Sequence, residues 1–222
     1  MINLNANKIE GIKNIITKRS INTLVHFTRV ENLSSILQHG ILSRDEAFKN
    51  NIKIITTDDY RLDGHLDSIS TSISFPNYKM FYPKQKNLGG KWTIICISPE
   101  VLWKNDCSFF EQNAASSEMR YKTNKSNLSD FEFMFNINAK NKRGEVLDRS
   151  QLKLPESQTT DPQAEVLVAN QINAKYITDI CFPSISDKNE YSTYLKNNFN
   201  VTAHYYPNFF NPRKDYLFWK NN

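Results

Sequence analysis

The chain has 222 residues, 39% of them hydrophobic and 12% aromatic, and its 28 basic and 23 acidic residues give a net charge of +5. A chain of this length can bury roughly 70% of its unfolded surface, and a repeat or low-complexity architecture is excluded by the lack of a repeated period and by only six glycines. We therefore expect one compact domain over residues 1–222. The positive charge suits an anionic partner such as nucleic acid or a dinucleotide, although many ordinary solvated surfaces carry as much.

The cysteines and the N-terminal residues indicate the cellular compartment in which the protein is expected. Cys96, Cys107 and Cys181 form no Cys-x-x-Cys pair, and Cys96 and Cys181 lie in apolar runs, which is typical of packed thiols in a reducing compartment rather than of a zinc site. Residues 1–18 contain no continuous hydrophobic stretch that would indicate a signal peptide. No stretch approaches the roughly 18 apolar residues of a membrane span. We expect a soluble cytoplasmic protein that binds neither a membrane nor a metal.

The first elements follow from hydrophobic periodicity. Isoleucines at helical spacing predict a helix over 8–18, and a short apolar run predicts a strand over 23–27. A helix over 30–39 follows, and Gly40 ends it. The next stretch, 43–62, is polar and is predicted to be irregular apart from a candidate strand at 53–56.

The remaining elements are short apolar or alternating runs bounded by proline and polar clusters. They predict strands at 66–75, 92–98, 164–169, 176–182 and 201–206, helical segments at 78–82, 99–103 and 187–197, and a strand that passes into a polar stretch, with a helix as one option, at 106–124. Residues 138–162 show no periodicity and are predicted to form a long loop, which in a compact domain is usually functional or disordered. Together these elements indicate an α+β fold of two small packed, mostly antiparallel sheets with flanking helices.

The end of this loop holds the most informative residue. Pro162 cannot lie in a central strand because it lacks an N–H group, and the run Val166–Val168 is typical of a buried strand. Glu165 therefore lies at the start of a core strand, where an anionic side chain is unfavourable unless it is paired or used. The sequence is compatible with two roles for Glu165, a catalytic carboxylate or one partner of a salt bridge at a strand end. The chain contains no Gly-x-Gly-x-x-Gly motif and no P-loop, so a Rossmann site is not expected.

Four ordered segments resemble the DarT family of DNA ADP-ribosyltransferases. They are His26-Phe27-Thr28 with Asn32-Leu33 and 36–43, Arg61 within Asp58-Asp59-Tyr60-Arg61, Phe75-Pro76 with Met80 and Tyr82, and Gln163-Ala164-Glu165. The resemblance implies an ADP-ribosyltransferase-like fold, NAD as co-substrate and single-stranded DNA as acceptor. It also implies a toxin whose antitoxin has ADP-ribosyl-hydrolase activity.

One segment departs from the branch of the family that modifies thymidine. Residues 70–74 are Ser-Thr-Ser-Ile-Ser, where that branch has Tyr-Val-Pro-Phe-Tyr. The segment is more similar to the Ser-Thr-Ser strand of arginine-serine-glutamate transferases. Thymine and guanine are therefore both open as acceptor bases.

The resemblance implies a role for each matched residue. Glu165 and Arg61 are expected to be catalytic: Glu165 holds the nicotinamide ribose and accepts a proton from the attacking base, and Arg61 grips the diphosphate or the reacting ribose. The residues expected to bind NAD are His26, Thr28, Asn32, Ser70, Tyr78 and Tyr82. Those expected to bind the acceptor are Gln163 and the basic residues Lys142, Arg143 and Arg149 of the predicted loop.

Each role has a structural alternative. His26 and the aromatic residues are also compatible with core packing, and Asn32 with the start of a helix. Arg61 is also compatible with a surface position among acidic neighbours, and the basic residues of the predicted loop with solvation. Two other functions also fit the sequence: an ADP-ribosyltransferase that acts on RNA or a protein side chain, and a non-catalytic module that binds nucleic acid.

Overall fold

The computed structural model describes residues 2–56, 64–120, 122 and 125–220. The helices are α1 (Ile2–Arg19), α2 (Leu33–His39), α3 (Arg44–Lys49), α4 (Tyr78–Leu88), α5 (Val101–Lys104), α6 (Leu128–Phe133), α7 (Ile185–Phe199) and α8 (Tyr216–Trp219). The strands are β1 (Leu24–Arg29), β2 (Ile41–Leu42), β3 (Ser68–Ile73), β4 (Trp92–Ile97), β5 (Cys107–Phe110), β6 (Asn138–Lys140), β7 (Val146–Asp148), β8 (Glu165–Ala169), β9 (Gln171–Ile172), β10 (Ile177–Phe182) and β11 (Thr202–Tyr205). Short 3-10 helices lie at Val30–Asn32, Arg149–Leu152, Ala174–Tyr176 and Pro207–Phe210. Within the described ranges, every helix is too short or too polar to traverse a lipid bilayer.

Seven strands form the main sheet in the order β11-β10-β4-β1-β3-β8-β5. β10 and β11 are parallel, and the other neighbouring strands are antiparallel. β1 pairs with β4 along its whole length, but with β3 only through Leu24–Ile73 and Val25–Ser72. The sheet therefore has a four-stranded and a three-stranded half that diverge beyond this short ladder. The predicted α+β class is confirmed, and the two predicted, mostly antiparallel sheets correspond to the two halves of this seven-stranded sheet. β2–β9 and β6–β7 form additional two-stranded sheets.

The alternation of residues along β3 explains how the sheet is buried. Ile69, Thr71 and Ile73 are buried against the core, while Ser68 and Ser70 lie on the opposite face and are partly exposed. β4 is buried along its whole length, as expected for a central strand covered on both faces. The main core lies between the sheet, α1, α2 and α6, and a second apolar cluster around Phe81 and Trp92 covers the other face of the four-stranded half.

Most predicted elements are present with shifted ends. The helix predicted over 30–39 is a 3-10 turn followed by α2, and it ends at Gly40, whose φ is +83°. A Cβ at Gly40 would clash with the carbonyl oxygen of Ile172, so glycine is required there both for its backbone conformation and for this close approach. Residues 111–120 form turns rather than the helix considered for 106–124.

Two segments predicted to be irregular contain regular structure. In 43–62, α3 begins because the Ser43 side chain accepts a hydrogen bond from the backbone N–H of Glu46, a standard N-cap. The strand considered at 53–56 does not form. The stretch 138–162 is not one long loop, because β6 and β7 pair as a hairpin and a 3-10 helix follows.

Candidate active site

The divergence of β1 and β3 opens a cleft between the two halves of the sheet. Its lining comes from β1, α2, α3, α4, β3 and residues 54–56. Just past the last β1–β3 pair, Nδ1 of His26 lies 2.9 Å from the carbonyl oxygen of Ser70. A carbonyl oxygen only accepts, so Nδ1 carries the proton and the tautomer of the ring is set. His26 thus spans the gap that the ladder leaves open.

Glu165 is not part of the described cleft lining but contacts it through Ser70, from the neighbouring strand. It is the first residue of β8 and is 3% exposed, and its Oε2 accepts a hydrogen bond of 3.2 Å from the Ser70 hydroxyl. The register pairs Thr71 with Val166, so Glu165 and Ser70 lie on the same face of the sheet. Ser70 therefore links the two predicted site residues, with its carbonyl bound by His26 and its hydroxyl by Glu165.

Asn32 lines the cleft and bonds to two of its other lining residues. Its side chain makes no helix-capping bond. Nδ2 donates to Thr28 Oγ1 at 3.0 Å and to the carbonyl oxygen of Ile55 at 2.9 Å, and Oδ1 accepts from the backbone N–H of Ile55 at 2.8 Å. Asn32 therefore fixes one wall of the cleft, and it also orients the hydroxyl of the buried Thr28.

Two cations in the cleft were not singled out by sequence. Arg44 and Lys84 line it together with Phe27 and Met80. Arg44 opens α3, in a stretch predicted to be irregular, so no helix was available on which to place it. Lys84 lies one turn beyond Met80 on α4, and the spacing i, i+4 places both on one face.

The predicted stacking residues lie elsewhere in the structure. Among the described residues, the cleft lining includes neither Tyr78 nor Tyr82. Tyr82 is 54% exposed, whereas Tyr78 is buried, and burial together with the Asp215 carboxylate raises the pKa of its hydroxyl. Arg61, the predicted catalytic arginine, lies outside the described residues.

Residues 155–163 form the segment that leads into Glu165, here called the approach loop. Arg149, predicted to bind DNA phosphates, is 8% exposed and holds this loop instead. Its guanidinium donates to Thr160 Oγ1 at 2.9 Å and to the carbonyl oxygens of Pro155 and Gln158 at 2.9 and 2.6 Å. Burial lowers the pKa of Arg149 to about 10, so it stays charged at neutral pH.

The C-terminal segment holds the approach loop from its other side. Arg213 donates to the carbonyl oxygens of Thr159 and Thr160 at 2.7 and 2.8 Å, and it forms a buried, bidentate ion pair with Asp215. Asp215 also accepts from Trp219 Nε1 at 2.7 Å. The contact between residues 159 and 213 could not be predicted, because it leaves no local pattern in the sequence.

Asp161 and Gln163 lie where the loop turns toward β8. Asp161 Oδ1 accepts from the backbone N–H of Gln163 at 2.7 Å. Burial raises the pKa of Asp161 to about 6, although the Gln163 N–H group, Arg213 and Lys79 act in the opposite direction. Gln163 is partly exposed, two residues before Glu165.

The remaining basic candidates lie at the tip of the β6–β7 hairpin. Lys142 and Arg143 are exposed there, and Asn141 Oδ1 shapes the turn by accepting from the backbone N–H groups of Arg143 and Glu145. Burial lowers the pKa of Lys79, and the nearby charge of Lys142 acts in the same direction. Within the described ranges, no group of three or more His, Cys, Asp or Glu side chains is placed to hold a metal ion.

Several solved structures share this fold. Thermosipho africanus DarTG in complex with ADP-ribose superimposes with a TM-score of 0.59 and 19% identity, over 85% of this chain and 51% of that one, so this chain spans about half the length of that relative. Thermus sp. 2.9 DarT in complex with NAD+ superimposes with a TM-score of 0.58 and 17% identity, over 86% of this chain and 98% of that one. The same protein in complex with ADP-ribosylated ssDNA superimposes with a TM-score of 0.60 and 15% identity, over 86% of this chain and 97% of that one.

The sequence supports the same relationship independently of the fold. Among proteins with curated descriptions, none matches this chain. Residues 25–211, most of the chain, match the model of a family described as "DarT: ssDNA thymidine ADP-ribosyltransferase, DarT". The chain belongs to the DarT family.

Proposed function

We propose that this protein transfers ADP-ribose from NAD to a thymine base of single-stranded DNA and releases nicotinamide. The observation that carries the proposal is the convergence of His26 and Glu165 on Ser70, in the cleft between the sheet halves. The family description names this activity, and the Thermus relative is described with NAD+ and with ADP-ribosylated ssDNA.

The cleft has the chemical groups that NAD requires. Arg44 and Lys84 suit its diphosphate, and the His26 ring suits ribose hydroxyls. The register between β1 and β3 ends at Val25, and we propose that the nicotinamide amide pairs with the main chain of β1 just beyond this point. We assign Thr28 and Ser70 to the same pocket and Asn32 to positioning its wall.

Glu165 is the residue that we assign to the chemical step. The glycosidic bond between ribose C1′ and nicotinamide breaks, and its electron pair leaves with nicotinamide. A ring nitrogen of the base forms the new bond to C1′, and its proton passes to the Glu165 carboxylate and then to water. The same carboxylate stabilises positive charge that develops on the sugar. Ser70 orients it, and Arg61 remains our proposal for a second catalytic cation.

The acceptor is proposed to enter beside the approach loop. Gln163 precedes Glu165 by two residues and is partly exposed, so it is our candidate for recognising the base. Lys142 and Arg143 extend a positive surface toward this side through the β6–β7 turn. Arg149 is reassigned from phosphate binding to holding the loop, because its guanidinium is buried and bound to loop oxygens.

Incubation with NAD and oligonucleotides that lack one base at a time, followed by mass spectrometry, tests the reaction. We expect one added ADP-ribose on every oligonucleotide that contains thymine. Glu165→Gln should lower the rate on the order of 100-fold or more, whereas Glu118→Gln, at an exposed glutamate, should not. Addition to guanine alone would replace the base assignment. Labelling of RNA or protein but no DNA would overturn the proposal.

The biological setting is also a proposal. We infer that the chain is a single-domain toxin whose antitoxin removes ADP-ribose, in line with the name of the Thermosipho relative. We place it in the cytoplasm, where NAD and DNA are available. The three cysteines are buried and form no disulfide, and the Sγ atoms of Cys96 and Cys181, 3.7 Å apart, share a thiol hydrogen bond, which suits a reducing compartment.

A further inference from the structure

Helix α4 contributes to the cleft on both sides of a proline. Met80 and Lys84 both line the cleft, and Pro83 lies between them inside the helix. Proline has no N–H group to donate to the carbonyl group four residues earlier, and its ring crowds that carbonyl group. The hydrogen bonding of α4 is therefore interrupted just before Lys84, and residues 84–88 depend on other contacts for their position.

The two parts of α4 differ in how much apolar surface they bury. In the first part, Phe81 is 1% exposed, and its ring stacks on that of Phe27 from β1 with 4.6 Å between the centroids. In the second part, residues 86–88 are exposed, and Leu88 is 53% exposed. Few buried apolar contacts are typical of segments that open locally, so packing alone does not fix the part that begins with Lys84.

Arg29, the last residue of β1, holds the C-terminal end of α4. Its guanidinium donates to the carbonyl oxygens of Leu88 and Gly89 at 3.4 and 3.0 Å, and Trp92 Nε1 also donates to that of Gly89, at 2.9 Å. The guanidinium lies over the Trp92 ring, 5.2 Å from its centroid, and donates to Glu31 Oε1 at 3.0 Å. A cation at a helix C-terminus is favourable because the last carbonyl groups lack partners within the helix. This clamp ties the second part of α4 to β1.

We propose that Arg29 is a positioning residue for NAD, which fixes Lys84 where its ammonium group meets the diphosphate. This inference rests on the proposed function, because it takes the cleft as the NAD site and Lys84 as one of the cations that bind the diphosphate. Among the described residues, the cleft lining does not include Arg29. Its effect on NAD therefore passes through α4.

Three single variants of the full-length protein test the clamp. Arg29→Met removes the donors and keeps a long side chain. Gly90→Ala disturbs the same clamp from the backbone, because a Cβ at Gly90 would clash with the Arg29 guanidinium and displace it. Gly89→Ala is the matched control. Both glycines have a positive φ, +68° at Gly90 and +56° at Gly89, so both substitutions strain the backbone, but a Cβ at Gly89 would meet no described atom within 4 Å.

The first readout is the Kd of NAD, measured by isothermal titration calorimetry. We expect Arg29→Met and Gly90→Ala each to raise this Kd about 5-fold, as for a weakened hydrogen bond between charged groups, and Gly89→Ala to raise it less than about 2-fold. The KM for DNA should stay within about 2-fold in all three variants, because the clamp acts on the NAD site. A general loss of folding would not separate the two substrates in this way.

A double-variant cycle shows whether the effect passes through Lys84. Lys84→Met should raise the Kd of NAD roughly 10-fold. Adding Arg29→Met or Gly90→Ala to Lys84→Met should raise it hardly further, because the ammonium group that the clamp positions is already gone.

Two results would overturn the inference: effects of Arg29→Met and Lys84→Met that multiply in full, or the same Kd for Gly90→Ala as for Gly89→Ala. Either would show that Arg29 supports the fold without positioning Lys84. If Arg29→Met does not fold, the two glycine variants decide the question, alone and combined with Lys84→Met. If the unmodified protein binds no NAD, the proposed function itself fails, which is a separate result.

Discussion

At the scale of single residues, Ser70 contacts both His26 and Glu165 in the candidate site. Its carbonyl group fixes the tautomer of His26 and its hydroxyl fixes the position of the Glu165 carboxylate. Ser70→Ala removes only the second contact, so we expect kcat to fall roughly 10-fold, as for the loss of one orienting hydrogen bond of about 1.4 kcal/mol. Ser108→Ala, on β5 of the same half of the sheet, is the control. A change in the KM for NAD with kcat unchanged would show that Ser70 acts only in the NAD pocket and does not orient Glu165.

Asp161 gives the approach loop a measurable pH dependence. Its pKa is about 6 in the folded protein against an ordinary value of 3.8. Between these values the folded state binds more protons than the unfolded state, so the free energy of unfolding falls as pH rises through this window. Above pH 6 the buried charge destabilises the fold by at most roughly 3 kcal/mol.

Asp161→Asn removes that charge and keeps an oxygen for the Gln163 N–H group. We expect the variant to be more stable than the unmodified protein at pH 8, by about 1–3 kcal/mol, with a difference that disappears near pH 4. Urea unfolding at a series of pH values measures it, and Asp106→Asn, at an exposed aspartate, is the control. A constant difference at all pH values would show that Asp161 titrates normally.

At the scale of elements, the approach loop is clamped from two sides by guanidinium groups. Arg213→Met would leave Asp215 buried without its cation and two loop carbonyls without a donor. Breaking a buried ion pair in this way should lower the free energy of unfolding by about 3–5 kcal/mol. Adding Asp215→Asn should restore part of that loss, because it removes the unpaired charge and leaves an oxygen for Trp219. Equal stability of the single and double variants would show that the pair is not coupled.

The strands were predictable from sequence because each has a local signal. The β-branched runs at β4 and β8 and the alternation along β3 fix both the strands and the faces they bury. Glu165 was predictable for the same reason, since Pro162 and the following apolar run locate it at a strand start. The family signature placed His26 in the same site, which the strand pattern alone did not.

The loop clamps were not predictable, and Arg149 shows why. By sequence it is one of several cations in a polar stretch, and its burial depends on Thr160 and Gln158 folding back over it. The β6–β7 hairpin, which has no hydrophobic alternation, was missed for a similar reason. Arg213 depends on a contact that spans more than fifty residues. Such contacts are specified by the tertiary fold.

At the scale of the whole molecule, the net charge of +5 predicts how substrate binding responds to salt. DNA binding releases counterions, with a slope of log affinity against log salt of about −0.7 per phosphate contacted on a single strand. We expect the KM for DNA to rise steeply between 50 and 200 mM salt and the KM for NAD to rise less. Lys142→Ala and Arg143→Ala should each reduce the slope by about 0.7. The control is Lys188→Ala, at a partly exposed lysine on α7, which should leave the slope unchanged. An unchanged slope in the hairpin variants would exclude that turn from the DNA path.

The short ladder between β1 and β3 has a mechanical consequence. Among the described residues, the main-chain contacts between the two halves are Leu24–Ile73, Val25–Ser72 and the hydrogen bond from the Ser74 N–H group to the Thr23 carbonyl oxygen, so a small rotation about this seam widens the mouth of the cleft without breaking main-chain hydrogen bonds inside either half. A dinucleotide bound along β1 beyond Val25 would contact both halves of the sheet and hold them together. Amide hydrogen exchange should then slow most along β1 and β3 when NAD is added, and the outer strands should hardly respond.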